Sequence, residues 1–175
     1  MKKENMIAAF EALDAKLSEP LTLLVGGGAA MLLAHGIPLS TYDVDGLPFE
    51  TKLSPAEVEK LIREVASELN LNPHWYNDYF NTFTFTLPAD FRDRLVDVFN
   101  GKCLTVRALG AEDLLLMKCM AGRDKDVGHA RALLRRGADW KKVEAHLEGL
   151  VKKGLPGAEE AVGFLEDLVV EIEDA

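Results

Sequence analysis

Glutamine is absent from this chain of 175 residues, cysteine occurs only twice, and no apolar run is long enough to span a membrane. Two thiols, Cys103 and Cys119, cannot build a disulfide framework or a thiolate metal cluster, so both are expected to be reduced and buried. A spanning helix needs about 20 consecutive apolar residues. Met1-Lys2-Lys3 is not followed by an apolar signal region and the C-terminus carries no lipidation motif, which makes the cytoplasm the expected location. The missing glutamine is compatible with a heat-adapted source. Internal repeats and low-complexity tracts are lacking too. Basic residues are in deficit, with 20 Lys and Arg against 29 Asp and Glu and a formal net charge of -9, which argues against a general nucleic-acid coat.

At 48% hydrophobic the chain can bury a real core, and its length suits one domain with a helical appendage. The charge is uneven. Residues 118–153 hold ten basic and five acidic side chains, while residues 154–175 hold seven acidic and no basic ones. A cationic segment between acidic flanks either faces phosphate or is a solvated helix surface laced with ion pairs. Arg131, Arg135, Arg136, Lys141 and Lys142 belong to that segment.

Met6, Ile7, Phe10, Leu13 and Leu17 recur at helical spacing, and Pro20 ends that segment. Leu21–Val25 reads as a buried strand, Gly28–His35 as a helix stopped by Gly36 and Pro38, and Tyr42–Leu47 as a second strand. Ser54-Pro55-Ala56-Glu57 is a capping-box start for a helix running to about Leu69. An aromatic, Asn-rich loop follows over 70–81. The alternating Phe83-Thr84-Phe85-Thr86-Leu87 predicts a strand, Arg94–Phe99 another, and Leu104–Val106 a short edge-like one. After Gly110 the pattern is helical, over about 111–121, 124–136, 139–152 and 157–173. The class is therefore α+β: a mixed sheet with helices, then a helical C-terminal part.

The most informative stretch is the apolar run ending in Gly26-Gly27-Gly28, then a short apolar helix, then Thr41-Tyr42-Asp43-Val44-Asp45. Alternate residues of a strand share a face, so Asp43 and Asp45 project together. Two close carboxylates repel unless something positive lies between them, and Mg²⁺ takes carboxylate oxygens together with substrate phosphates. Glycines permit close backbone approach to a phosphate, and a following helix presents free N–H groups. Further on, Lys118 shares a helical stripe with Ala111, Leu114 and Leu115, and Arg123-Asp124-Lys125-Asp126 follows.

In order and spacing these motifs resemble the nucleotidyltransferase superfamily, and within it the small AbiEii-toxin-like and DUF6036-type proteins, over roughly residues 20–136. The resemblance implies a nucleotidyltransferase fold, with an α/β core over 1–109 and a helical part over 110–175 packed on it as one continuous domain. It implies a metal-dependent enzyme that moves an NMP from an NTP to a hydroxyl of an RNA or protein acceptor, as a toxin of a toxin–antitoxin pair does, with Mg²⁺ or Mn²⁺ as cofactor and an antitoxin as partner. Asp43, Asp45 and Asp97 would be catalytic and hold metal. Asp97 is chosen as the lone charge within the apolar Leu95–Phe99 run. Gly26, Gly27, Thr41, Lys118 and Lys125 would bind the nucleotide, with Asp126 orienting Lys125. Two departures stand out: Leu39 where many relatives have Arg, and His129 where many have a second carboxylate. They keep two alternatives in view, a small-molecule adenylyltransferase and a non-catalytic nucleotide-binding or interaction protein.

Overall fold

The structure is a computed structural model that describes residues 1–39 and 41–174. The chain forms two compact units. The first comprises Met1–Asn81 and Leu95–Leu109, and the second comprises Thr82–Arg94 and the chain from Gly110 onward.

The first unit holds α1 (Lys3–Lys16), β1 (Leu21–Val25), α2 (Gly27–His35), β2 (Val44–Thr51), α3 (Pro55–Glu68), β3 (Tyr76–Asn77), β4 (Val96–Asn100) and β5 (Leu104–Ala108). The five strands form a mixed sheet in the order β3-β2-β1-β5-β4. β1 lies at the centre, antiparallel to β2 and parallel to β5. Its sequence Leu-Thr-Leu-Leu-Val is almost wholly apolar because both faces of a central strand are covered. Leu104–Val106, expected at an edge, instead begins the interior strand β5, with Leu104, Val106 and Ala108 buried. Cys103 just before it is only half-buried, whereas Cys119 is buried as expected.

Local chemistry explains the element ends. Ser54 and Glu57 form the capping box of α3, with Pro55 in its first turn. Gly36 adopts the left-handed conformation, and Ile37 N–H returns to the Met31 carbonyl at 3.1 Å, closing α2. The Asp14 carboxylate of α1 accepts the backbone N–H groups of Lys102, Cys103 and Leu104 at 2.7–2.9 Å, tying that helix to the β4–β5 turn. Trp75 is buried and its indole N–H donates to the Ile62 carbonyl at 3.1 Å.

The second unit holds α4 (Ala111–Ala121), α5 (Asp124–Arg135), α6 (Trp140–Lys152) and α7 (Ala158–Glu173), close to the expected bounds. Leu114, Leu115, Leu133, Leu147 and Leu165 fill its interior. The strand expected over Phe83–Leu87 is not formed. That stretch belongs to a 3₁₀ segment, Tyr79–Thr86, in which the Thr86 hydroxyl donates to the Phe83 carbonyl at 2.7 Å. Threonine hydroxyls compete with a ladder by bonding nearby backbone, and among the described residues no strand pairs with this segment. His146 of α6 holds it by donating from Nε2 to the Thr86 carbonyl at 2.7 Å. Arg94 grips the buried Asp113 of α4 through two bonds at 2.7 and 3.0 Å and meets Asp90 at 2.8 Å.

Candidate active site

β1 runs into the glycine turn, and the turn is bound to the head of β2: Gly26 N–H donates to the Asp45 carbonyl at 2.9 Å. Gly27 starts α2 with φ +56, a conformation that favours glycine, and a Cβ there would collide with the Asp45 carboxylate. Asp45 thus lies against the N-terminus of α2, where a negative charge is favourable. Gly26 is covered differently. The Phe80 ring packs on it so closely that a Cβ would sit 2.9 Å from Cδ2. The close approach permitted by Gly26 is therefore used by an aromatic ring, and that permitted by Gly27 by a carboxylate.

Thr41 is buried, and its hydroxyl donates to the Asp43 carbonyl at 3.0 Å, fixing the turn that delivers Asp43. The Met1 ammonium donates to the Thr41 carbonyl. The Asp43 carboxylate accepts a 2.7 Å bond from Asn77 Nδ2, and Asn77 is the residue of β3 that stands beside Asp45 in parallel register. Asn77 was not singled out from the sequence, where it is one of four asparagines in the 70–81 loop with nothing to distinguish it.

Asp97 is not brought to these groups. It lies on the edge strand β4, three strand positions from β2, about 14 Å at the usual interstrand spacing. There it faces Arg107 across the ladder and pairs with it at 2.9 Å, with half of its side chain exposed. The lone charge in the apolar run is explained by that cross-strand partner, which a single strand cannot reveal. Among the described residues, no group of three or more His, Cys, Asp or Glu side chains is placed to hold a metal ion. The residues present nevertheless fit Mg²⁺ or Mn²⁺. Two carboxylates at one strand head beside a helix N-terminus suit an ion that completes its shell with water and substrate phosphates.

In the second unit Lys118 is buried and its ammonium donates to Asp126 Oδ1 at 2.8 Å. Asp126 is fully buried and also accepts from Arg123 Nε at 2.7 Å. Burial works to raise the Asp126 pKa, yet the bonds from Arg123 and Lys118 win and hold it below the ordinary carboxylate value. Asp126 therefore engages Lys118, whereas Lys125, which it was expected to orient, is exposed. His129 lies with Nδ1 3.9 Å from Asp126 Oδ1, and among the described residues that buried nitrogen has no hydrogen-bond partner. Burial first, then the nearby Lys118 charge, push its pKa down. The neighbouring Cys119 thiol is pushed up to about 12, chiefly by burial, so it is no nucleophile near neutral pH.

No curated protein and no solved structure matches the chain. A family model described as a nucleotidyltransferase of unknown function matches residues 4–153, which contain the glycine turn, the Asp-Val-Asp strand and the Lys118–Asp126 cluster. By that match the chain belongs to the DUF6036 family of nucleotidyltransferases.

Proposed function

We propose that this protein is a metal-dependent enzyme that transfers an NMP from an NTP to a hydroxyl of an RNA or protein acceptor. The observation that carries the reading is the fit of Asp45 to Gly27, which sets the head of the two-carboxylate strand against the N-terminus of α2. In the reaction the acceptor oxygen bonds to the α-phosphorus, the bond from that phosphorus to the bridging oxygen breaks, and pyrophosphate leaves with the electron pair. The acceptor hydroxyl releases its proton to the carboxylate pair. A bound Mg²⁺ or Mn²⁺, held by Asp43 and Asp45, would neutralise the triphosphate charge. The chain's own part is positioning. Thr41 sets the turn, Asn77 orients Asp43, and the α2 N-terminus favours the anionic groups gathered there. A role as the toxin of a toxin–antitoxin pair, with a cognate antitoxin as partner, is part of the same proposal, and gene neighbours test it.

A second reading, nucleotide binding without transfer, is favoured by two observations: Asp97 pairs with Arg107, and the neutral Asn77 stands beside Asp45. One experiment separates the two. The protein is incubated with each labelled NTP, Mg²⁺ and total RNA or lysate. Transfer predicts a labelled macromolecule and released pyrophosphate, both lost in the Asp43→Asn plus Asp45→Asn variant. Nucleotide binding with no label transferred and no pyrophosphate supports the second reading. Label transfer that survives the double variant overturns the site.

A further inference from the structure

We infer that Asn77 is a positioning residue for Asp43 that makes the site accept a cation–triphosphate complex in preference to a free cation; this rests on the reading of Asp43 and Asp45 proposed above. Asn77 Nδ2 donates to Asp43 Oδ2 at 2.7 Å, and Asn77 Oδ1 accepts the Tyr79 backbone N–H at 3.0 Å. The second bond fixes the first. A main-chain N–H only donates, so the amide oxygen must face Tyr79 and the amino group must face the carboxylate. Asn77 therefore presents hydrogens, not an oxygen, toward Asp43. It does so from β3, the strand beside the Asp-Val-Asp strand, in register with Asp45. A carboxylate at that point would complete a three-carboxylate cage. With a neutral amide there, the site carries two charges.

Cation affinity follows the charge count of the ligands, so two carboxylates hold a free divalent cation weakly and the triphosphate must supply the rest. A charge-assisted bond to Oδ2 also holds Asp43 in one orientation before the complex arrives. The chain thus selects the combined ligand by withholding a third charge.

Asn77→Asp is the informative change, because it keeps an oxygen for the Tyr79 N–H and alters only the group facing Asp43. The full chain is titrated calorimetrically with Mn²⁺ alone, and with Mn²⁺ together with an α,β-methylene NTP analogue. The wild type is expected to bind Mn²⁺ measurably only with the analogue. Asn77→Asp is expected to bind free Mn²⁺ at least about tenfold more tightly, and to gain more melting temperature from Mn²⁺ than the wild type does. Asn77→Ala, which removes the donor without adding charge, is expected to weaken Mn²⁺–analogue binding about three- to tenfold while free Mn²⁺ stays weak. Free Mn²⁺ binding as tightly as the complex in the wild type, or unchanged in Asn77→Asp, overturns the inference. If the Asp43→Asn plus Asp45→Asn variant keeps the Mn²⁺–analogue affinity, the carboxylate site itself is wrong. If that variant loses it and Asn77→Asp changes nothing, only the role given to Asn77 fails.

Discussion

Lys118 lies on an apolar helical stripe, and a cation there either reaches a surface or meets a buried anion. The anion is Asp126, fully buried and shared with Arg123. Lys118→Met leaves Asp126 with one cationic partner in place of two, so the variant should lose about 2 kcal/mol of stability in denaturant unfolding. A loss under 0.5 kcal/mol, roughly the scatter of ordinary surface changes, would mean that Arg123 alone satisfies the carboxylate. Gly27→Ala should cost about 2 kcal/mol or more, from left-handed backbone strain and the collision with Asp45, and should abolish Mn²⁺–analogue binding. The cluster also sets a pH dependence. His129 has a lowered pKa in the folded chain, so below about pH 6.5 the unfolded chain takes up a proton that the folded chain refuses, and stability falls as pH falls. Asp126, also lowered, adds a second loss below about pH 4, because its ionised form is the one that Lys118 and Arg123 hold. Melting temperatures compared at pH 7.5 and 5 should fall for the wild type and fall less for His129→Asn. An equal drop in both would place the proton elsewhere. Gly27, Asp43, Asp45 and Lys118 stand out in the sequence because their chemistry is unusual for their apolar surroundings, and the structure ties Gly27 to Asp45 and Lys118 to Asp126. Asn77, Phe80 and the Asp97–Arg107 pair could not, since each acquires its role from a partner distant in the chain.

Elements with their own start and stop signals were the most legible. The Ser54–Glu57 capping box, the Gly36 helix end and the apolar Leu21–Val25 run all carry the information locally, and the observed bounds fall within a residue or two of those expected. Phe83–Leu87 carried a strand pattern without a partner strand, and its threonines turned it into a 3₁₀ stretch. Leu104–Val106 looks edge-like in the sequence because a short run shows its length but not its neighbours, which for β5 are β1 and β4. A link invisible in the sequence joins two elements: Asp14 of α1 holds three N–H groups of the β4–β5 turn, and a Cβ on Gly101 would collide with the same carboxylate. The cost of burial works to raise the Asp14 pKa, and the three backbone bonds overcome it and lower it. Asp14→Ala should therefore cost about 2–3 kcal/mol, and the wild type's advantage should shrink as pH falls below about 4. Hydrogen exchange should locate the loss, with the Lys102, Cys103 and Leu104 amides exchanging faster in the variant. Unchanged protection at those three amides would show that the turn is held by other means.

Charge is a property of the whole molecule, and an acidic chain approaching RNA must overcome its own field at long range. The cationic segment over 118–153 is partly spent inside the second unit. Lys118 and Arg123 serve Asp126, and Arg131 forms a two-bond pair with Glu171 of the acidic α7, both bonds at 2.7 Å. Lys141 lies 5.5 Å from the centre of the Trp140 ring. The sequence permitted either a phosphate-facing surface or ion-paired helices, and for Lys118, Arg123 and Arg131 the second description is the one observed. Reversing Arg131 would therefore break a structural pair and confuse stability with binding. Arg135 and Lys142 are exposed and make the cleaner test. If RNA is the acceptor, affinity for a tRNA-like RNA, followed by anisotropy across a salt series, should fall steeply as salt rises and counterion release becomes less favourable. Arg135→Glu plus Lys142→Glu should then flatten the log–log slope by about 1–2 units while the melting temperature holds. Loss of slope with intact folding would place the RNA path on this surface. Binding absent even at low salt, or a slope indifferent to both reversals, would remove the second unit as an RNA guide and turn the proposed transfer toward a protein or small-molecule hydroxyl.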